Sequence, residues 1–190
     1  MQKQKKQFIV VLAALVLLIA AYFAVNSYVK KEQKKEEEEA QISVAKVDSD
    51  KIDAFSYTVE GTTYEFKKED ENWVCESDTS IELDSDSVTD MLGNLNDVQA
   101  EEELTDYDDL ADYGLDDPQN QITVHMGEEQ KTFSIGDYND MVGNYYLKVD
   151  GDDNVYLIDS GLKDAFSKEP ESLAKTEDTE SAESSDTEEN

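Results

Sequence analysis

Apolar side chains recur at every second position in three runs between Ile52 and Glu76. Turn residues at Gly61 and at 68–71 separate the runs. A period of two is typical of half-buried strands, so this region is predicted to form a three-stranded antiparallel meander. The apolar positions are Phe55, Tyr57, Val59, Tyr64, Phe66, Trp73 and Cys75.

The period changes over residues 84–98, where apolar side chains fall on one stripe at helical spacing. We therefore predict a helix here, with an N-cap supplied from residues 84–86 and with Gly93 weakening it. A short second helix is predicted from Leu104 to Tyr113, because Gly114 and Pro118 follow as terminators.

Four further strands are predicted in the segments "QITVHM", "KTFSIG", "NYYLKV" and "VYLID". The turn "DGDDN" joins the last two as a hairpin, since Asp-Gly tolerates positive φ. The segment "SGLKDAF" is predicted to close the domain as a helical turn. The element order β-β-β-α-α-β-β-β-β-α indicates an α+β fold with antiparallel pairing.

Upstream of this domain, residues 8–25 contain 18 uncharged, mostly apolar residues. At about 1.5 Å per residue they span roughly 27 Å, close to the ~30 Å hydrocarbon core of a bilayer. We predict a single transmembrane helix over residues 8–29, preceded by a basic cytoplasmic head at 1–7; a cleaved signal peptide is the alternative. A short basic head favours a domain on the outer side of the membrane, although lysines flank both ends of the run.

The charge is distributed unevenly among the segments. Residues 1–40 carry a net +2, residues 41–168 a net −25 and residues 169–190 a net −8. We predict a charged linker at 30–46, a folded domain at 47–167 and a disordered acidic tail at 168–190, because the tail has too few large apolar residues to form a core.

The composition excludes several kinds of site. All 16 cationic residues are lysines, and the net charge of −31 leaves no basic face for nucleic acid. One cysteine and one histidine preclude an intrachain disulfide and a zinc site built from several such ligands.

Four candidate groups for chemistry have simpler structural interpretations. His125 is predicted on the solvent side of a strand, and Cys75 on an apolar strand face beside Trp73. The acidic segment 150–154 resembles the start of a calcium-binding EF-hand loop, but Val155 stands where the loop needs its sixth-position Gly, and Gly161 where it needs its twelfth-position Glu. The pairs Asp108/Asp109 and Asp116/Asp117 are expected in a chain this acidic. We assign no catalytic, cofactor-binding or metal-binding residue.

The segment "YGLDDP", residues 113–118, resembles a motif of the bacterial domain of unknown function 4340. The ordered set "ENWVCE", "DLADYGLDDPQNQITV", "TFSIGD" and "YYLKVDGDDNVYLID" extends the resemblance over about residues 47–167. Members of that family are typically anchored in the membrane, and longer ones contain two such units, whereas this chain carries one. The resemblance implies no catalytic residues, because none are established for the family.

The resemblance and the predicted anchor lead to one main functional hypothesis. It is a non-enzymatic, extracytoplasmic binding or accessory subunit of a membrane complex, such as an ABC-type transporter. The expected contacts are the lipid bilayer through residues 8–29 and a membrane protein, without nucleic acid and without a cofactor. The alternatives are an envelope enzyme that uses carboxylates, or an acidic surface domain that responds to divalent cations.

Overall fold

The computed structural model of the chain describes residues 41–175 and, before them, Tyr22. A compact unit begins at Ile42. Its strands are β1 (Ile42–Ala45), β2 (Ala54–Val59), β3 (Thr62–Glu69), β4 (Asn72–Cys75), β5 (Val98–Ala100), β6 (Glu102–Leu104), β7 (Asn120–Met126), β8 (Glu129–Asn139), β9 (Asn144–Val149) and β10 (Val155–Ile158). Its α-helices are α1 (Ser85–Leu92) and α2 (Gly161–Ala165), and short 3-10 helices cover Ser49–Lys51, Gly93–Leu95, Leu110–Tyr113 and Pro170–Leu173.

Eight strands form one sheet in the order β4-β3-β2-β7-β8-β9-β10-β6, and β1 pairs with β5 in a small second sheet. Every pairing between these strands is antiparallel. The predicted α+β class is therefore confirmed, as are the β2–β3–β4 meander and the four strands β7 to β10.

One face of the large sheet, which we call the inner face, carries the main hydrophobic core. Side chains from β2, β3, β7, β8 and β9 pack there with Val88, Leu92 and Leu95, and with apolar residues of β1 and β5. Stacked aromatic rings lie at its centre, with the ring centroids of Phe55 and Phe66 4.5 Å apart. The alternating pattern of the sequence follows directly from this one-sided burial.

Helix α1 begins where the sequence indicates but ends earlier than predicted. The Asp84 carboxylate accepts hydrogen bonds from the backbone N–H groups of Asp86 and Ser87, at 3.0 and 3.4 Å. After Leu92 the chain tightens into a 3-10 turn, and Val98 belongs to β5. The predicted helix over 84–98 was too long. Val98 has the spacing expected of the next apolar residue on the helix, but it is buried in strand β5, and the sequence spacing alone cannot distinguish the two.

The predicted second helix from Leu104 to Tyr113 was wrong in its first part. Residues Glu102–Leu104 form β6 against β10, and only Leu110–Tyr113 are helical, in a 3-10 turn. Gly114 ends that turn with φ +64°, as predicted. The acidic sequence of β6 lacks a strand pattern because its side chains Glu102 and Glu103 are exposed at the edge of the sheet.

The ordered region extends beyond the predicted domain limits of 47–167. Strand β1 lies within the predicted linker 30–46, and a 3-10 helix at Pro170–Leu173 lies within the predicted disordered tail. Leu173 is buried and extends the core, which explains why this part of the tail is ordered.

The predicted transmembrane helix at 8–29 lies outside the described residues, apart from Tyr22. The basic head, most of the linker and residues 176–190 also lie outside them. Within the described part of the chain, no helix combines the length and apolarity needed to cross a bilayer.

Two backbone segments cross at very short range on the other face of the sheet, which we call the outer face. Gly136 of β8 lies under Tyr113 and Leu115, and a Cβ atom at Gly136 would overlap the Tyr113 carbonyl oxygen. A Cβ atom at Gly114 would lie 2.6 Å from the Asp137 carboxylate. We call this the glycine crossing. The register of β8 and β9 shifts between Ile135 and Tyr138, directly beside it.

Replacing Gly136 with alanine is expected to lower the free energy of unfolding by about 2–4 kcal/mol, because the carbonyl it meets is backbone and cannot move aside cheaply. Gly93→Ala is the matched control, since its Cβ would meet only the Asn96 amide at 3.9 Å. The control is expected to be neutral or stabilising by up to about 1 kcal/mol.

Urea unfolding of the full chain in detergent, followed by the fluorescence of the buried Trp73, measures both values. Equal free energies of unfolding for Gly136→Ala and the parent chain would contradict the close approach of Gly136 to the Tyr113 carbonyl oxygen.

Candidate partner-binding surface

The outer face of the large sheet is divided into a covered area and an open area. Residues 105–118 cover the β9–β10–β6 part, where Leu115, Val155 and Leu157 are buried apart from the main core. The Tyr113 ring packs edge-on against the Tyr146 ring, with centroids 4.7 Å apart. This smaller core holds the segment on the sheet.

The open area of the outer face lies over β3, β2, β7 and β8 and is polar. Hydroxyl and amide side chains pair across the strands: Thr58 with Thr63 at 2.9 Å, Gln121 with Ser134 at 3.1 Å, and Thr123 with Thr132 at 3.2 Å. A groove of about 440 Å³ is lined by the paired residues of β7 and β8, and it ends at Lys148 and the acidic turn that follows β9. The outer face thus presents an ordered and largely uncharged surface in an acidic domain.

Lys148 joins the covered area to the acidic turn. Its ammonium group donates to the Tyr107 hydroxyl and to the carbonyl oxygens of Asp152 and Asn154, at 3.1, 2.6 and 3.2 Å. The Tyr107 hydroxyl donates in turn to the Asp153 carbonyl at 2.6 Å. All three ammonium donors are therefore used within the fold, so the role that this contact set supports for Lys148 is structural.

The acidic turn is stabilised by its own carboxylate. Asp152 accepts from the Asn154 backbone N–H at 2.9 Å and from the Tyr156 hydroxyl at 2.8 Å. The Asn154 bond, the Tyr156 bond and the charge of Lys148 hold the pKa of Asp152 below its ordinary value. Burial, together with the bond to Asp152, raises the pKa of Tyr156 to about 12.

The loop between β8 and β9 is an ordered four-residue turn. The Asn139 carbonyl accepts from the N–H groups of Val142 and Gly143, at 3.3 and 2.8 Å. The Asn139 side chain accepts from the Met141 N–H at 3.0 Å and donates to the Tyr146 hydroxyl at 2.7 Å. Gly143 takes φ +85°, a value that closes the turn and favours glycine.

This turn holds apolar side chains in water. Met141 is 95% exposed, Val142 55% and Tyr138 48%, and these are the exposed large apolar side chains of residues 41–175. We call these three residues the hairpin tip. Exposed carboxylates at Asp137 and Asp140 flank them, and the Tyr138 ring packs against Tyr145, with centroids 4.9 Å apart. The hairpin tip thus consists of exposed apolar side chains next to negatively charged carboxylates.

The predicted positions of the lone histidine and the lone cysteine agree with the structure. His125 lies opposite Ala54 on the outer face and is half-buried. Cys75 is 1% exposed in the main core on the inner face, close in sequence to the buried Trp73. The sheet separates the thiol from the imidazole, so this pair cannot act as a nucleophile and its base.

The remaining candidates are dispersed. Residues 150–154 form the predicted β9–β10 turn, with Gly151 at φ +80°. Asp109 caps the 3-10 turn through the Ala111 N–H at 3.1 Å, while Asp108, Asp116 and Asp117 are exposed in loops. Within residues 41–175, acidic, histidine and cysteine side chains form no group of three or more that could hold a metal ion.

Sequence reasoning did not identify the hairpin tip. Met141 and Val142 are apolar residues between two predicted strands, and apolar residues are ordinarily assigned to a hydrophobic core. The available signal was their position inside the segment "YNDMVGNY", where Asn, Asp and Gly predict a turn that would keep them out of the sheet.

The fold and its surfaces define an antiparallel α+β domain with one buried sheet face, a polar outer face and an exposed apolar tip. The chain belongs to the family described as Domain of unknown function (DUF4340), whose profile matches residues 73–184. The expected family membership is therefore confirmed. No curated protein and no solved structure matches the chain.

Lys148→Met is expected to lower the free energy of unfolding by about 1–2 kcal/mol, because three acceptors lose their charged donor. Lys67→Met on the exposed part of β3 is the matched control and is expected to change stability by less than about 0.5 kcal/mol. Urea unfolding of the full chain in detergent measures both. Indistinguishable values for the two variants would show that the Lys148 contacts contribute nothing.

Asp152 is expected to make the stability depend on pH in a defined direction. Its pKa is lowered by folding, so its charge contributes stability above the unfolded pKa, and this contribution is lost as the pH falls through the folded value. Asp152→Asn retains an acceptor oxygen but has no charge to titrate. The parent chain is therefore expected to be more stable than the variant at pH 6, with the difference decreasing steadily as the pH falls below the unfolded pKa of about 3.9.

Chemical unfolding at a series of pH values tests this expectation. A stability difference that is constant from pH 6 to pH 3, or that grows on acidification, would contradict the assigned role of the Asp152 charge.

Proposed function

We propose that this chain is a non-enzymatic binding subunit of a membrane complex, tethered to the bilayer by residues 8–29, with its domain on the outer side. Its hairpin tip docks into a membrane protein of the complex, such as an ABC-type transporter. The observation that carries the proposal is the exposure of Met141 on an ordered turn, in a domain that buries nearly all its other large apolar side chains.

The energetics of the tip favour docking. Removing a methionine or valine side chain fully from water contributes about 1.5–3 kcal/mol of favourable free energy. In the free domain Met141 and Val142 are exposed, so this free energy is available for binding a partner. An unbranched thioether also adapts to an irregular pocket more easily than a branched or aromatic side chain does. Methionine and tyrosine are among the residues that are enriched at the cores of interfaces.

The order of the turn lowers the cost of binding. Hydrogen bonds from the N–H groups of Met141, Val142 and Gly143 to Asn139 fix the backbone before any partner arrives. Only the side chains must then lose freedom on docking, at about 0.5–1.5 kcal/mol for each. The tip is therefore preorganised to insert into a pocket.

The charges around the tip favour one kind of partner. Asp137 and Asp140 border the apolar side chains, so a complementary pocket would be apolar with lysine or arginine at its rim. An anionic bilayer would repel these carboxylates and the net −25 of residues 41–168. A second copy of the chain would place like charges together at the tip.

A photoreactive phenylalanine derivative at position 141 of the full chain, irradiated in native membranes, tests the proposal. The expected product is a crosslink to one integral membrane protein, and that crosslink should weaken when the exposed turn residue Asp140 is replaced by lysine. The same probe at Glu128, in the exposed turn between β7 and β8, is the matched control and is expected to give no such product.

The other outcomes contradict the proposal in distinguishable ways. A lipid adduct would indicate insertion into the bilayer, and a self-adduct would indicate a dimer. An adduct formed equally from position 128, or no adduct at all, would show that the tip is not a specific docking element.

A further inference from the structure

We propose that Met141 is a site of reversible oxidation, at which conversion of the thioether to a sulfoxide switches the hairpin tip from apolar to polar. The co-reactant is a two-electron oxidant of the peroxide or hypohalous acid class. The switching of docking rests on the proposed function, whereas the oxidation site itself does not.

The oxidation site follows from how far each sulfur-containing residue is exposed to solvent. Met141 is 95% exposed, whereas Met91 on α1 is 6% exposed and Met126 is half-buried against the core. Cys75 is the only cysteine of the chain, and at 1% exposure its thiol is shielded in the core. A thiolate usually reacts before a thioether, but susceptibility follows access as well as chemistry. Met141 is therefore the most exposed sulfur-containing residue of residues 41–175.

The reaction balances without any group from the protein. With hydrogen peroxide, a sulfur lone pair attacks one peroxide oxygen and the O–O bond breaks. The departing hydroxide takes up the remaining proton and leaves as water. The sulfur is oxidised by two electrons to the sulfoxide, and the peroxide is reduced. Methionine sulfoxide reductases reverse the change, with one enzyme for each sulfoxide epimer. The reductant is a dithiol: it supplies two electrons and two protons and becomes a disulfide, and the sulfoxide oxygen leaves as water.

The position of Met141 in the turn determines the consequence. Only its backbone N–H takes part in the fold, through the bond to the Asn139 side chain. A sulfoxide on the exposed side chain therefore leaves the turn and the core intact. It does add a polar S=O group at the point that the proposed pocket must desolvate, and an unpaired polar group in such a pocket weakens binding.

Time-resolved peptide mapping of the full chain in detergent, exposed to hydrogen peroxide, tests the oxidation site. Met141 is expected to convert at least tenfold faster than Met91 and Met126, with an unchanged melting temperature once it has converted. Met1 lies outside the described residues and is quantified separately. Met141→Leu is expected to remove the fast phase. Equal rates at Met126 and Met141, or a loss of stability that accompanies Met141 oxidation, would overturn the assignment.

A photoreactive probe at Val142 in native membranes tests the switch. Its crosslink to the partner is expected to fall at least fivefold after peroxide treatment and to recover after repair by both reductases. A crosslink insensitive to oxidation, or a loss that repair does not reverse, would overturn the switch. Absence of any crosslink before oxidation would overturn the docking and the switch together, while the mapping decides the oxidation site independently.

Discussion

The glycine crossing is the constraint on which the outer side of the domain depends. Two backbone segments approach so closely there that a Cβ atom at Gly136 would overlap the Tyr113 carbonyl oxygen, and one at Gly114 would lie 2.6 Å from the Asp137 carboxylate. This approach places residues 105–118 on the sheet, where Leu115, Val155 and Leu157 are removed from water. It also lies beside the register shift in β8, beyond which the β8–β9 hairpin continues to its exposed turn. A local backbone contact thus supports both the smaller core and the element that we propose for docking.

The two faces of the large sheet differ in how they are packed. The inner face buries stacked aromatic and branched side chains and supplies most of the apolar burial. The outer face is closed only over β9, β10 and β6, and elsewhere it carries hydroxyl and amide groups paired across strands. Lys148 links the covered area of the outer face, through Tyr107, to the acidic turn after β9. The high negative charge is therefore compatible with a folded domain, because the acidic side chains lie almost entirely at its surface.

The success of sequence reasoning differed between elements for physical reasons. The meander and the strands β7 to β10 were predictable because one-sided burial imposes a period of two, and the same argument placed His125 and Cys75 correctly. Strands β1 and β6 were missed because they are short and because β6 exposes glutamates at a sheet edge. The segment "YGLDDP" resembled a family motif, but its contact with Gly136 is a long-range approach that local patterns cannot show. The exposure of Met141 likewise depends on turn geometry and not on residue type.

Native-state hydrogen exchange at the turn between β8 and β9 tests most directly whether the fold holds the hairpin tip in place. The Gly143 amide donates to the Asn139 carbonyl at 2.8 Å, and the Leu115 amide donates to the Leu110 carbonyl at 3.0 Å near the glycine crossing. Both amides are predicted to exchange at least tenfold more slowly than in an unstructured chain. Exchange of the Gly143 amide at the unstructured rate would show that the tip is not preorganised, and would contradict the account.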